Sequence, residues 1–133
     1  MSVLVVDDEP CCRYSLTALL RKEGFEVIEA DDGIDGYDIV QRMGRSIDLL
    51  LTDINMPRMD GIELAKVARG LYPHMPVLLM TGDIAFANKR GVRFDVLMKP
   101  FSREQLVQAI QELLPRHRDS TPSQVEICGT RAA

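Results

Sequence analysis

Val3-Leu4-Val5-Val6-Asp7-Asp8-Glu9-Pro10 is the stretch on which the fold of this chain turns. An apolar run stops at two acids, and a proline follows where a helix can begin, because the first helical turn has no use for the missing N–H. Cys12, Leu16, Leu19 and Leu20 then fall at i, i+4, i+7 and i+8, the inward stripe of an amphipathic helix. Gly24 stands where a left-handed C-terminal cap is required.

The same alternation continues along the chain. A second run, Phe25–Ala30, is broken by Glu26 and Glu29 and suits a peripheral strand. Asp31-Asp32-Gly33 is a turn, and Ile34–Met43 a short helix with Tyr37 and Val40 inward. The third run is Asp48–Thr52, followed by a loop over Asp53–Asp60 and a helix after Gly61 with Leu64, Val67, Ala68 and Leu71 on its inner face. Pro73 and Pro76 bracket a connector. The fourth run, Val77–Met80, ends at Thr81-Gly82-Asp83 and leads into a weakly helical Ile84–Arg90. The fifth is Phe94–Met98. Ser102 and Gln105 form a capping box for a last helix bearing Leu106, Ile110, Leu113 and Leu114, which Pro115 ends. Strands alternating with helices require right-handed crossovers and a parallel sheet covered on both faces. Runs one, three and four are almost wholly apolar, as central strands of such a sheet are. The predicted fold is α/β, a doubly wound five-stranded parallel sheet in flavodoxin-like order 2-1-3-4-5, with a shortened fourth helix.

The length, 133 residues, fits one domain. We expect that domain over residues 1–116 and a flexible tail or linker over 117–133, which is polar and aperiodic. The net charge of -4 and the scatter of Arg42, Arg45, Arg58, Lys66 and Arg69 argue against a nucleic-acid surface. No apolar run is long enough to span a membrane. Three cysteines, Cys11 and Cys12 adjacent, make a poor disulfide framework, so the reducing cytoplasm is the expected compartment. One buried and one exposed thiol are expected of the adjacent pair.

In open parallel sheets ligands bind beyond the carboxyl ends of the strands. Asp7, Asp8, Asp53, Thr81 and Lys99 all follow predicted strand ends, on four different strands. Each alone has an ordinary explanation: a helix cap for Asp7 or Asp8, a turn former for Asp53, a solvated charge for Lys99. Four coincidences at one sheet edge are harder to dismiss. Crowded carboxylates repel, and a hard divalent cation with oxygen ligands resolves the conflict. Asp53 is then a carboxylate nucleophile toward phosphorus, with Lys99 and the Thr81 hydroxyl facing phosphate oxygens.

These residues resemble the receiver domains of two-component response regulators, of the chemotaxis-regulator type, over about residues 2–115. The matching segments are Val5-Val6-Asp7-Asp8-Glu9-Pro10, Asp53-Ile54-Asn55-Met56-Pro57-Arg58-Met59-Asp60-Gly61, Met80-Thr81-Gly82 and Lys99-Pro100-Phe101. The resemblance implies Asp53 as the phosphoacceptor, forming an aspartyl phosphate. It implies Mg2+ held directly by Asp8, Asp53 and the backbone carbonyl of Asn55, and by Asp7 through water. It implies that Thr81 and Lys99 contact the phosphoryl group, and that the Lys99–Pro100 peptide is cis. The phosphodonor would be a sensor histidine kinase or a histidine phosphotransfer protein, with a downstream protein target. An enzyme is not expected beyond Mg2+-dependent self-phosphorylation and slow autodephosphorylation. Two features depart from the pattern. Val96 stands where many receivers carry an aromatic residue, and the Thr81–Lys99 segment is shorter by about four residues, one helical turn.

Two other classes compete. A phosphorylation-independent protein-binding module on the same fold would be expected to have lost an acid or the lysine. An aspartate-nucleophile phosphatase would need a second Asp two residues beyond the first, where Asn55 stands. Asp83 is either a helix cap or, with Asn55, a group that tunes hydrolysis of the aspartyl phosphate. Residues after Arg116 are too few for an effector domain, so the sequence fits a stand-alone receiver or a piece of a longer regulator or hybrid kinase.

Overall fold

A computed structural model describes residues 1–114. Its elements run β1 (Ser2–Val6), α1 (Pro10–Lys22), β2 (Glu26–Ala30), α2 (Gly33–Met43), β3 (Leu49–Asp53), α3 (Gly61–Leu71), β4 (Val77–Thr81), α4 (Ile84–Lys89), β5 (Asp95–Met98) and α5 (Arg103–Leu113), with a single 3-10 turn at Gly44–Ser46. All strand pairs are parallel, in the order β2-β1-β3-β4-β5. The expected fold is thus observed. The expected tail, 117–133, and Pro115 lie outside the described residues.

Strand alternation divides the core in two. Leu4, Val6, Leu50, Val77 and Leu79 face α2, α3 and Ala87 of α4. Val3, Val5, Leu49, Leu51, Leu78 and Met80 face α1 and α5 through Leu16, Leu20, Leu106 and Ile110. The three central strands β1, β3 and β4 are buried almost throughout, whereas β2 and β5, at the edges, are only partly covered. Gly24, at φ +96°, closes α1 by donating to the Arg21 carbonyl. The Ser102–Gln105 capping box is present in both directions.

Two inward assignments need correction. Cys12 is exposed, as is Cys11; the first turn of α1 runs past the carboxyl end of β1, so no strand side chain covers it. Leu71 is 46% exposed, because it is the last residue of α3 and the chain turns away at Tyr72. The buried face of α3 is instead Ile62, Leu64, Ala65 and Ala68, with Val67 partly covered. Helix α4 is short, six residues, one fewer than expected. Among the described residues no helix is long and apolar enough to cross a membrane.

Candidate functional site

The sheet edge formed by the carboxyl ends of β1, β3, β4 and β5 gathers the residues singled out above. Asp53 is the last residue of β3 and Thr81 the last of β4, one step earlier relative to their strands than expected. Parallel register fixes their neighbours: Val6 lies opposite Thr52, Asp53 opposite Met80, and Thr81 opposite Met98. The Lys99 N–H donates to the Thr81 carbonyl at 2.7 Å, which extends that register by one bond and delivers the lysine to the site. The Lys99–Pro100 peptide is cis.

One carboxylate oxygen from each of Asp7, Asp8 and Asp53 lies within 4.8 Å of the others. Lys99 Nζ is 3.2 Å from Asp53 Oδ1 and 3.9 Å from Asp7 Oδ2. Asp7 is fully buried, Asp53 partly so, and Asp8 is exposed. Asp7 Oδ1 accepts the Glu9 N–H at 2.9 Å, while Oδ2 is buried without a hydrogen-bond donor. A buried ionised oxygen with no donor is costly unless a cation approaches it.

The titration behaviour reflects that cost. Burial pushes the Asp7 carboxyl up; the Glu9 N–H and Lys99 oppose the shift, and Asp8 adds to it. Burial also raises Asp53 against the charge and hydrogen bond of Lys99, with Asp7 and Asp8 adding repulsion. For Lys99, burial pulls the ammonium down, but the Asp53 charge and hydrogen bond together with Asp7 outweigh it and leave the group raised. The set therefore carries more negative charge than one ammonium neutralises. A hard divalent ion, which takes carboxylate oxygens and keeps waters, fits this donor set.

Thr81 is buried, and its Oγ1 accepts the Asp83 N–H at 3.0 Å. The Asp83 carboxylate in turn accepts from Phe86 N and caps α4. Asn55 is exposed on the loop after Asp53. That loop is fixed from below: Ile54 N donates to the Met80 carbonyl and Gly61 N to the Ile54 carbonyl. A Cβ at Gly61 would overlap the Asp53 carbonyl oxygen, and one at Gly33 the Met59 carbonyl oxygen. Met56 and Met59 pack into the core beneath. Arg58, at φ +69°, pairs with Asp32, and Arg90 pairs with Asp60 at 3.2 Å. The Cys12 thiol is pushed up, by desolvation and then by the negative charge of Asp7, which disfavours its thiolate.

Sequence reasoning missed Arg13 and Glu9. The Glu9 side chain caps α1 by accepting from Cys11 N and Cys12 N. Arg13 Nη1 donates to the Asp7 carbonyl at 2.6 Å. An arginine in a first helical turn has the appearance of a solvated charge, and only its offset from the strand end hints otherwise.

An acid cluster facing a lysine at the carboxyl edge of a 2-1-3-4-5 parallel sheet defines an α/β module suited to a divalent cation and a phosphoryl group. Comparison with known proteins narrows that class. The model of the response regulator receiver domain family matches residues 3–111. The receiver protein CpdR of Brucella abortus is 36% identical over 116 residues, 84% of this chain and 95% of that protein. The sensor kinase CckA of the same species is 32% identical over 119 residues, 86% of this chain but only 13% of the kinase. The receiver domain of the sensor histidine kinase PA1611 from Pseudomonas aeruginosa, solved with a magnesium ion coordinated in its active-site cleft, superposes with a TM-score of 0.77 at 25% identity, covering 84% of this chain and 95% of that domain. The chain belongs to the response regulator receiver domain family, whose role is that of a phosphoacceptor in two-component signal transduction.

Proposed function

We propose that Asp53 is the phosphoacceptor and that residues 1–116 form the working receiver. The observation that carries the reading is the pairing of Asp53 with Lys99 at 3.2 Å, beside a buried Asp7 oxygen that has no donor. Asp8, Asp53 and the Asn55 carbonyl would hold Mg2+, with Asp7 acting through water. When bound, the ion draws negative charge from the transferring phosphoryl oxygens. The Asp53 carboxylate attacks the phosphorus of a phosphohistidine, a P–O bond forms as the P–N bond breaks, and the imidazole leaves. Lys99 then pairs with one phosphoryl oxygen. The Thr81 hydroxyl exchanges its Asp83 contact for another, which loosens the start of α4.

The donor in this reading is a sensor histidine kinase or histidine phosphotransfer protein, and the phosphorylated state acts by binding a downstream protein in the cytoplasm. Nucleic acid and membrane are not partners, consistent with a net charge of -4 and no basic stripe. Catalysis is confined to self-phosphorylation and slow hydrolysis of the aspartyl phosphate. The test is intact mass after incubation with Mg2+ and acetyl phosphate. One phosphoryl adduct that is absent from Asp53→Asn supports the reading. No adduct from acetyl phosphate or a cognate kinase would favour the phosphorylation-independent module.

A further inference from the structure

One charged side chain at the site has no part in the chemistry above. Arg13 is mostly covered, with 19% of its side chain exposed. The β1–β2 ladder ends at Val6 and Ala30, and Asp7 N–H donates to the Ala30 carbonyl at 3.2 Å. The Asp7 carbonyl therefore lies beyond the last strand pair, where the sheet supplies no donor. Arg13 Nη1 donates to it at 2.6 Å. The Nε of the same guanidinium is 3.4 Å from Glu29 Oε1 on β2, and Arg21 Nη2 approaches the other Glu29 oxygen at 3.9 Å. A planar guanidinium held at two points is fixed in orientation as an ammonium would not be. Asp7 is thus gripped at its carbonyl by Arg13 and at its carboxylate by Glu9 N–H, with Oδ2 left without a donor, 3.9 Å from Lys99 Nζ, and one carboxylate oxygen within 4.8 Å of those of Asp8 and Asp53.

We infer that Arg13 is a positioning residue for the cation pocket: by pinning the Asp7 carbonyl to β2 through Glu29, it sets how Asp7 and Asp8 present their carboxylates beside Asp53. The inference rests on the magnesium reading above. Two effects of removing Arg13 oppose each other. Deleting a positive charge near a cation site tightens divalent binding. Releasing the loop weakens it. The guanidinium is already paired with Glu29, so its long-range repulsion is small. Groups that orient metal ligands are typically worth roughly 10- to 100-fold in affinity. The positional effect should win, and the sign of the change separates the two.

The experiment is a magnesium titration of wild type, Arg13→Ala and Arg13→Lys, followed by calorimetry and backbone amide shifts, with thermal melts in EDTA as the folding control. Arg13→Ala should bind Mg2+ about tenfold more weakly, and Arg13→Lys, which keeps the charge and one donor, should fall between. The half-saturating Mg2+ for phosphorylation by acetyl phosphate should rise in parallel, with the rate at saturating Mg2+ within about twofold of wild type. Equal or tighter Mg2+ binding by folded Arg13→Ala overturns the inference. If Arg13→Ala does not fold, Arg13→Lys decides: weaker binding supports the role and unchanged binding overturns it. Failure of wild type to bind Mg2+ would instead overturn the magnesium reading itself.

Discussion

Asp7 is the residue at which the cost of building this site is concentrated. Its carboxyl is raised by burial, so the folded protein holds a proton there more tightly than the unfolded chain does. The sign follows: without a cation, Asp7 costs nothing in acid, where both states are protonated. The penalty grows as pH rises from the unfolded value to the raised folded value, and is complete above it. Asp7→Asn should therefore raise the melting temperature of Mg2+-free protein at neutral pH by a few degrees, roughly what 1 kcal/mol produces in a domain of this size. That gain should fade as pH drops into the carboxylate range. Melts of both proteins in EDTA across pH check this, and a gain that persists in acid would contradict it. Lys99 has the opposite role, since its raised value means that its ion pairs stabilise the fold until high pH removes its proton. Lys99→Ala should lower the Mg2+-free melting temperature at neutral pH, with the difference shrinking as the lysine of the wild type deprotonates. Asp7, Asp8, Asp53 and Lys99 were legible in the sequence because each stands at or just beyond the end of an apolar run. Arg13 was not, because one partner is a backbone carbonyl, which leaves no mark on residue type, and the other, Glu29, lies on a different strand.

Helix α3 packs directly against the loop that follows Asp53, with Gly61 N–H donating to the Ile54 carbonyl. Gly61 and Gly70 lie in the same helix but meet different surroundings. A Cβ at Gly61 would strike the Asp53 carbonyl oxygen, whereas one at Gly70 meets nothing. Gly61→Ala should destabilise by about 1–3 kcal/mol, the usual cost of overpacking, and slow phosphorylation by displacing Asp53. Gly70→Ala should stabilise by about 0.5 kcal/mol, by restricting the unfolded chain. Urea unfolding of the two variants tests the contrast, and equal effects would contradict it. Helix periodicity located α3 yet misjudged Leu71, because a stripe drawn from sequence does not show where a helix runs out of sheet to cover. The same holds for Cys12 at the other end of the core. Helix α4 was legible as short. Its attachments, with Thr81 bound to Asp83 at one end and Arg90 bound to Asp60 at the other, join distant segments and were not.

At the scale of the whole molecule, binding and stability are coupled. A ligand that binds only the folded state adds RT ln(1 + [L]/Kd), about 2.7 kcal/mol at a hundredfold excess over Kd. Mg2+ should raise the melting temperature of wild type and much less that of an Asp8→Asn variant; Ca2+-free differential scanning calorimetry at several Mg2+ concentrations measures this. The parallel 2-1-3-4-5 sheet was readable because apolar runs and helical stripes alternate with almost no irregular insertion, and because β2 announced its edge position through Glu26 and Glu29. The central claim remains that Asp53, among the clustered acids, is the one that takes the phosphoryl group. Borohydride converts an aspartyl phosphate to homoserine, so the direct measurement is to phosphorylate the protein with acetyl phosphate and Mg2+, reduce it, digest it and sequence the peptides by tandem mass spectrometry. Homoserine at position 53 alone is the predicted result; homoserine at position 7 or 8, or none anywhere, would contradict it.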